Sequence, residues 1–426
     1  MRLRLLCALL PLSLAACAPP DEAGDEAVLS LWRHQTGTAE NAANQAMIER
    51  FDTAHADIAI AEQNIPQGSY PQSIMAAAMA DRLPCILTVD APMVPSFVWA
   101  GHIRPLDTLL PADAFEGIAP AALGRYEGHV YAVGQFDAAL AIFARKSALL
   151  AAGARVPTVA RPWSGQEFDA LLTRLKASGR YDVPLDLGTR EANPNWWTYA
   201  YSPLLQSFGG DLIDRRTMES ADGVLNGESA IAFAGWFRSL FARGLARRQE
   251  PDDQAMLQGR AALLYGGNWR APELEEAFGD DLLILPPPDF GAGTVIGGGS
   301  WQWAISSACD RPEAAAAFLA HVVSTREIAA MSEAAGMVPV TEAAAARTQR
   351  FRADGKWRIF FDLSRSFARE RPVTPGFTTV SSTFYRAARD IADGADPRDT
   401  LDDAVDDIDR SIADNGGYHV GGTGGS

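Results

Sequence analysis

The run Cys85-Ile86-Leu87-Thr88-Val89 closes on Asp90. A near-continuous apolar run has no wet face, which is the pattern of a strand covered on both sides in a parallel sheet. Working back from it, Tyr70 to Ala80 predicts a helix and Ile58 to Ala61 a second strand. Glu40 to His55 predicts an amphipathic helix, because Ala43, Met47, Ile48 and Phe51 recur at helical spacing. Val28 to Trp32 predicts a first strand. Strands alternating with helices in this order predict a doubly wound α/β body.

Working forward, Tyr131 to Ala144 is a long apolar stretch whose one acid is Asp137. Ser164 and Glu167 have the spacing of a capping box before the periodic Phe168, Leu171, Leu172 and Leu175. Helical segments are expected at Trp196 to Phe208, Gly227 to Gly244 and Asp252 to Gly259. A strand at Ala261 to Tyr265 then opens onto Gly266-Gly267-Asn268-Trp269. Gly297-Gly298-Gly299-Ser300 leads into a strand from Trp301 to Ser307. Helices resume at Arg311 to Val323, Glu327 to Ala335, Thr379 to Gly394 and Thr400 to Asn415. Residues 416–426 are expected to form a disordered tail.

The start of the chain indicates export. Arg2 and Arg4 precede an apolar run from Leu5 to Leu14, interrupted by Pro11 and too short to span a bilayer. Residues 1–16 read as a signal peptide. Leu14-Ala15-Ala16-Cys17 resembles a lipobox, which would leave Cys17 acylated and residues 17–27 as a tether. An ordinary signal peptide with an incidental cysteine is the alternative. The expected location is the periplasm or cell exterior, with the membrane reached only through the lipid anchor. The remaining length of about 400 residues exceeds what one core supports, so two lobes are expected.

A net charge of −16 speaks against a nucleic-acid partner, which would need basic patches. No nucleophile elbow, zinc motif, P-loop or GxGxxG is present, so no catalytic residue, metal or cofactor is expected. With Cys7 in the leader and Cys17 lipidated, Cys85 and Cys309 remain, either as buried thiols or as a disulfide.

From Val28 to near Asn415 the landmarks resemble the family 1 extracellular solute-binding proteins, which include the maltose- and trehalose/maltose-binding proteins. The resemblance rests on Leu31-Trp32; Gly101-His102-Ile103-Arg104-Pro105-Leu106-Asp107; Gly128-His129-Val130-Tyr131-Ala132-Val133; and Pro162-Trp163-Ser164. It continues through Ser207-Phe208-Gly209-Gly210-Asp211, Gly259-Arg260-Ala261-Ala262, Gly298-Gly299-Ser300-Trp301 and Arg371-Pro372-Val373-Thr374-Pro375. The resemblance implies a two-lobed periplasmic-binding-protein fold of type II, with ligand in the interlobe cleft. It places residues 28–136 and 304–368 in the N-terminal lobe and 137–303 and 369–415 in the C-terminal lobe. Crossovers would fall near Phe136 to Leu140, Gln302 to Ile305 and Ala368 to Thr374.

The same resemblance implies a substrate-binding component of an ABC importer, monomeric, that hands a carbohydrate to the permease subunits. Sugar hydroxyls need carboxylate acceptors and forked Arg donors, and their C–H faces stack on aromatic rings. By similarity, Glu40 and Asp90 would be acceptors on the first lobe and Asp137 would act beside the hinge. Trp269 and Trp301 would stack, with Gly299 in the turn before Trp301, and Arg371 would donate. Trp196, Trp197 and Tyr199 form a cluster that suits core or cleft equally. The implied strand order also brings Cys309 near Cys85, favouring the disulfide. Gln135, where the family has an aromatic, and the inserted Ser300 leave the sugar open. A phosphorylated polyol or glycerol phosphodiester is the alternative ligand, and a secreted glycoside-active enzyme a more distant reading.

Overall fold

The structure is a computed structural model and describes residues 27–418. The expected signal peptide, Cys17, the tether up to residue 26 and the tail beyond Tyr418 lie outside the described residues. Six strands form the first sheet: β1 (Ala27–Gln35), β2 (Ile58–Pro66), β3 (Ile86–Asp90), β4 (Leu123–Tyr126), β5 (His129–Val133) and the late-returning β12 (Trp301–Ile305). Their order is β2-β1-β3-β12-β5-β4. The second sheet runs β10-β7-β9-β8, built from β7 (Leu140–Arg145), β8 (Val183–Asp186), β9 (Ala261–Gly267) and β10 (Leu282–Leu285). Two short ladders lie where the chain passes between the sheets. One pairs β6 (Phe136–Asp137) with β13 (Val338–Pro339), the other β11 (Ile296–Gly298) with β14 (Ala368–Glu370).

Each sheet has its own apolar core. Met47, Ile48 and Phe51 of the helix Thr38–Ala54 meet Phe318, Leu319 and Ile328 of two later helices against the first sheet. Phe143, Leu172, Trp197 and Phe237 belong to the larger core of the second. The apolar stretch from Tyr131 to Ala144 is explained by this division: it leaves the first sheet at Val133 and enters the second at Leu140, buried in both.

Several expectations change. β12 pairs with β3 along its whole length, Trp301 opposite Asp90 and Ile305 opposite Ile86, so all of it belongs to the first sheet. The second crossover therefore precedes Trp301 instead of falling within Gln302 to Ile305, because leaving mid-strand would orphan ladder hydrogen bonds. Ala345, Phe351, Trp357, Phe360 and Leu363 pack into the second core, so the chain has moved to that body before Ala368. Asp252 to Gly259 is a series of turns and not a helix. Asp252 accepts the Gln254 N–H at 2.9 Å, a local bond that competes with helix formation. Ala27 is already in β1, paired with Ile58. The expected tail is ordered at its start: Gly416–Tyr418 forms a 3-10 turn, with the Tyr418 ring edge-on to Trp99 at 5.8 Å.

The capping box is present in full, each of Ser164 and Glu167 bonding the other's backbone. Cys85, just before β3, and Cys309, just after β12, are joined as a disulfide with Cα atoms 4.3 Å apart and 224 residues between them in sequence. Closing so long a loop removes much unfolded-state entropy. In the leaderless chain, Cys85→Ala/Cys309→Ala is expected to lower unfolding free energy by about 3–5 kcal/mol. Urea denaturation with and without reductant checks this, since reductant should shift only the parent protein.

Candidate ligand-binding site

The carboxyl end of β3 meets the second body, where α/β sheets place their ligands. β3 ends in Asp90, whose oxygens accept from Arg371 Nη2 at 2.7 Å and Nη1 at 3.1 Å. Asn195 Nδ2 donates to the same carboxylate at 3.2 Å, and Ser381 Oγ donates to the Asn195 amide oxygen at 3.0 Å. Asp90 thus joins the first sheet to the helices Pro194–Ser207 and Phe377–Asp393 and to the extended segment after β14. The Arg371 guanidinium also lies 5.4 Å from the Tyr199 ring centre. Arg371 Nε and the Tyr199 hydroxyl are buried with no hydrogen-bond partner among the described residues.

A second polar group sits where β1 meets the helix Thr38–Ala54. Arg33 is buried, its Nε donating to Glu62 at 2.8 Å and its Nη1 to Asn41 at 3.0 Å. Arg33 Nη2 and His34 Nε2 are buried without partners among the described residues. Glu40, in the first helical turn, is buried rather than solvated. Burial pushes its carboxyl up to about 7, against the smaller opposing effects of the Thr36 side chain and the Arg33 charge.

Aromatic walls stand on both bodies. Trp301 is half-buried at the start of β12, its ring stacked on His34 at 3.8 Å and edge-on to Tyr70 at 5.6 Å. Trp269 follows β9 and is 39% exposed, with Trp196 and Tyr199 beside it at 6.0 and 6.4 Å. Its ring lies so close over Gly267 that a Cβ there would come within 2.1 Å. Gly299 takes φ +79, and a Cβ would come 3.0 Å from the Ala91 Cβ, so the turn into β12 needs glycine. A small cavity beside the Asp90–Arg371 pair is lined by Ala91, Pro92, Leu123, Gln302, Glu370 and Arg371. A wider groove between the helices Phe377–Asp393 and Pro397–Asp414 contains Asp390, Asp403 and Arg386 and none of the expected residues.

The structure therefore brings Asp90, Arg371 and Trp301 together at the junction and puts Trp269 on the second body beside Trp196 and Tyr199. Asp137 is different. It is buried completely, accepting from Ala138 N–H at 2.8 Å and Ser364 Oγ at 2.6 Å, so it ties β6 to the helix Arg358–Phe367. Burial raises its carboxyl above the usual range while these bonds pull it down. The aromatic cluster divides by helix face: Trp196 and Tyr199 approach Trp269, while Trp197 packs on Tyr201 and Tyr385 in the core. An i, i+3 reading would have separated them. His34 and Asn195 escaped sequence reasoning; an Asn near Pro194 reads as a helix cap, and His34 as an ordinary strand end.

Residues 46–359 match the model of the bacterial extracellular solute-binding protein family. The chain belongs to that family. Its members bind solutes, so this chain is a binding protein and not an enzyme. An uncharacterised lipoprotein from the oleD 5' region of Streptomyces antibioticus is 23% identical over 357 residues, 79% of this chain and 76% of that protein. The maltodextrin-binding protein MdxE of Bacillus subtilis is 25% identical over 51% of this chain and 54% of its own length. Among solved structures, the GacH receptor of Streptomyces glaucescens superposes with a TM-score of 0.78 at 22% identity, covering 91% of this chain and 99% of that one. The cyclic alpha-maltosyl-1,6-maltose binding protein of Arthrobacter globiformis gives 0.77 at 20% identity, over 91% and 99%. The two-lobed binding-protein fold follows from these matches.

The geometry makes two expectations. Removing one member of a buried ion pair strands the other charge. Asp90→Ala should cost about 3 kcal/mol in the ligand-free protein, and adding Arg371→Met should recover at least half; a urea double-mutant cycle measures both. Glu40 has a folded-state value near 7 against 4.5 unfolded. Its contribution is fully present below pH 4.5 and is lost as pH rises through 7. Glu40→Gln should therefore gain on the parent by about 2–3 kcal/mol between pH 4.5 and 8, read from urea denaturation at the two pH values.

Proposed function

We propose that this chain is the substrate-binding component of an ABC importer, an exported, lipid-anchored monomer that captures a carbohydrate and delivers it to the permease. The ligand class is a di- or oligosaccharide such as an α-glucoside. One observation carries the reading: the forked Asp90–Arg371 pair joins the two bodies with the half-buried indole of Trp301 directly across the strand pair from Asp90, while Trp269 is exposed on the second body. A carboxylate accepts from sugar hydroxyls, a guanidinium donates to them, and indoles take the C–H faces. Asn195 widens the donor set. A sugar entering here would exchange the protein's own Asp90 bonds for its hydroxyls and hold the lobes closed, a population shift without chemistry.

The relatives point the same way. MdxE is named for maltodextrin, the GacH study includes a complex with acarbose, and a Staphylococcus aureus neighbour was solved with maltose. The Streptomyces antibioticus relative is called a lipoprotein, which supports acylation at Cys17. An anionic ligand is disfavoured because both buried cations near the site are already paired, Arg371 with Asp90 and Arg33 with Glu62.

Thermal shift of the leaderless protein tests the reading. A neutral glycoside at a hundredfold excess over its Kd should stabilise by about 2.7 kcal/mol, and Trp301→Ala or Asp90→Ala should abolish the shift. A response confined to phosphorylated polyols would overturn it.

A further inference from the structure

The ring stacked beneath Trp301 has no place in the recognition scheme above. β1 and β12 are not neighbours; β3 lies between them. Strands one removed are about 9–10 Å apart, yet the imidazole of His34 and the indole of Trp301 meet 3.8 Å apart with planes only 19° from parallel. The two side chains lean toward each other across β3, the strand that ends in Asp90. One indole face is closed by this contact.

His34 is itself held. Its Nδ1 lies 3.1 Å from Thr88 Oγ1, in the middle of β3. Thr88 Oγ1 lies 3.3 Å from the Tyr70 hydroxyl, which also donates to Thr88 O at 2.8 Å and Trp32 O at 3.0 Å. The Tyr70 ring is tilted against His34, at 5.9 Å, and edge-on to Trp301. Because Thr88 Oγ1 donates to the Tyr70 hydroxyl, it is left to accept from a protonated Nδ1, and Nε2 is buried with no partner among the described residues. Burial and the adjacent Arg33 charge keep the ring neutral, well below the usual histidine range. A neutral, flat ring stacks on indole without the cost of burying a charge.

We infer that His34 is a positioning residue for ligand binding: it fixes the plane of Trp301 over β3 and so sets the angle at which a sugar ring meets Asp90. This rests on the carbohydrate reading above. Trp301 and Asp90 are cross-strand partners, so a tilt of the indole changes the spacing between the stacking wall and the carboxylate. Orientation errors of this size cost binding because sugar hydroxyl bonds are directional. The function needs a ring at position 34, not a base or an acid.

The test uses the leaderless protein labelled with 5-fluorotryptophan, the Trp301 resonance being assigned through Trp301→Phe. His34→Phe should keep one sharp Trp301 line and bind the glycoside found by thermal shift within about threefold of the parent. His34→Ala should broaden or split that line and weaken binding at least tenfold. Thr88→Val, which keeps the ring but removes its anchor, should fall between and serves if His34→Ala does not fold. An unchanged Trp301 line in the alanine and valine variants, or full affinity in either, would overturn the inference. If the parent binds only anionic polyols, the carbohydrate reading fails by itself, and the fluorine spectra still report whether His34 holds Trp301.

Discussion

Strand β12 enters the first sheet between β3 and β5 and runs antiparallel to β3, with Trp301 opposite Asp90. Once that ladder forms, a stretch of chain more than two hundred residues downstream has only one register. The ladder puts the indole beside the carboxylate and the Gly299 turn against Ala91. It also brings Cys309 to Cys85 at the far end of the strand pair. A shift by one residue would turn Trp301 to the opposite face and bury Gln302 where the ring now stands. The site is in this sense a property of a strand pairing before it is a property of side chains.

Across the junction the controlling balance is electrostatic. Asp90 and Arg371 are both largely withdrawn from water, which weakens screening and strengthens their attraction, but desolvation opposes it. Two parallel N–H bonds from the guanidinium and one from Asn195 offset that penalty. Arg371 Nε and the Tyr199 hydroxyl nearby have no hydrogen-bond partner among the described residues. Asp137 illustrates the opposite arrangement: its oxygens are taken by Ala138 and Ser364 at the crossover, and it stiffens the passage between lobes.

Much of the first lobe was legible because its signals are local. Apolar periodicity located the helix that runs Thr38–Ala54, and the run before Asp90 marked β3. The Ser164–Glu167 spacing announced a cap that forms as expected. Asp90, Arg371, Trp269 and Trp301 were reached through the order of landmarks; Asp90 pairs with Arg371 and lies across the strand pair from Trp301, while Trp269 stands beside Trp196 and Tyr199. The misreadings have two causes. The crossover read into β12 and the lobe allegiance of Phe360 and Leu363 depend on partners distant in sequence, whereas the helix expected at Asp252 is lost to a local bond from Gln254. Glu40 was expected as an acceptor on the first lobe, but nothing in its sequence neighbours reveals that the surrounding chain covers it.

The sequence by itself determined the α/β class, the two-lobe scale and the residue types able to recognise a hydroxyl-rich ligand, because these follow from periodicity, length and side-chain chemistry. Only the tertiary structure decided which of those residues share a site. It paired Asp90 with Arg371 and Asn195 across a lobe boundary. It split Trp196 from Trp197, and it seated Trp301 on a histidine that local sequence gave no reason to notice. The reason is physical: spacing along a chain constrains neighbours within a turn or a strand, whereas contacts between strands and lobes are selected by burial and hydrogen bonding summed over the whole fold.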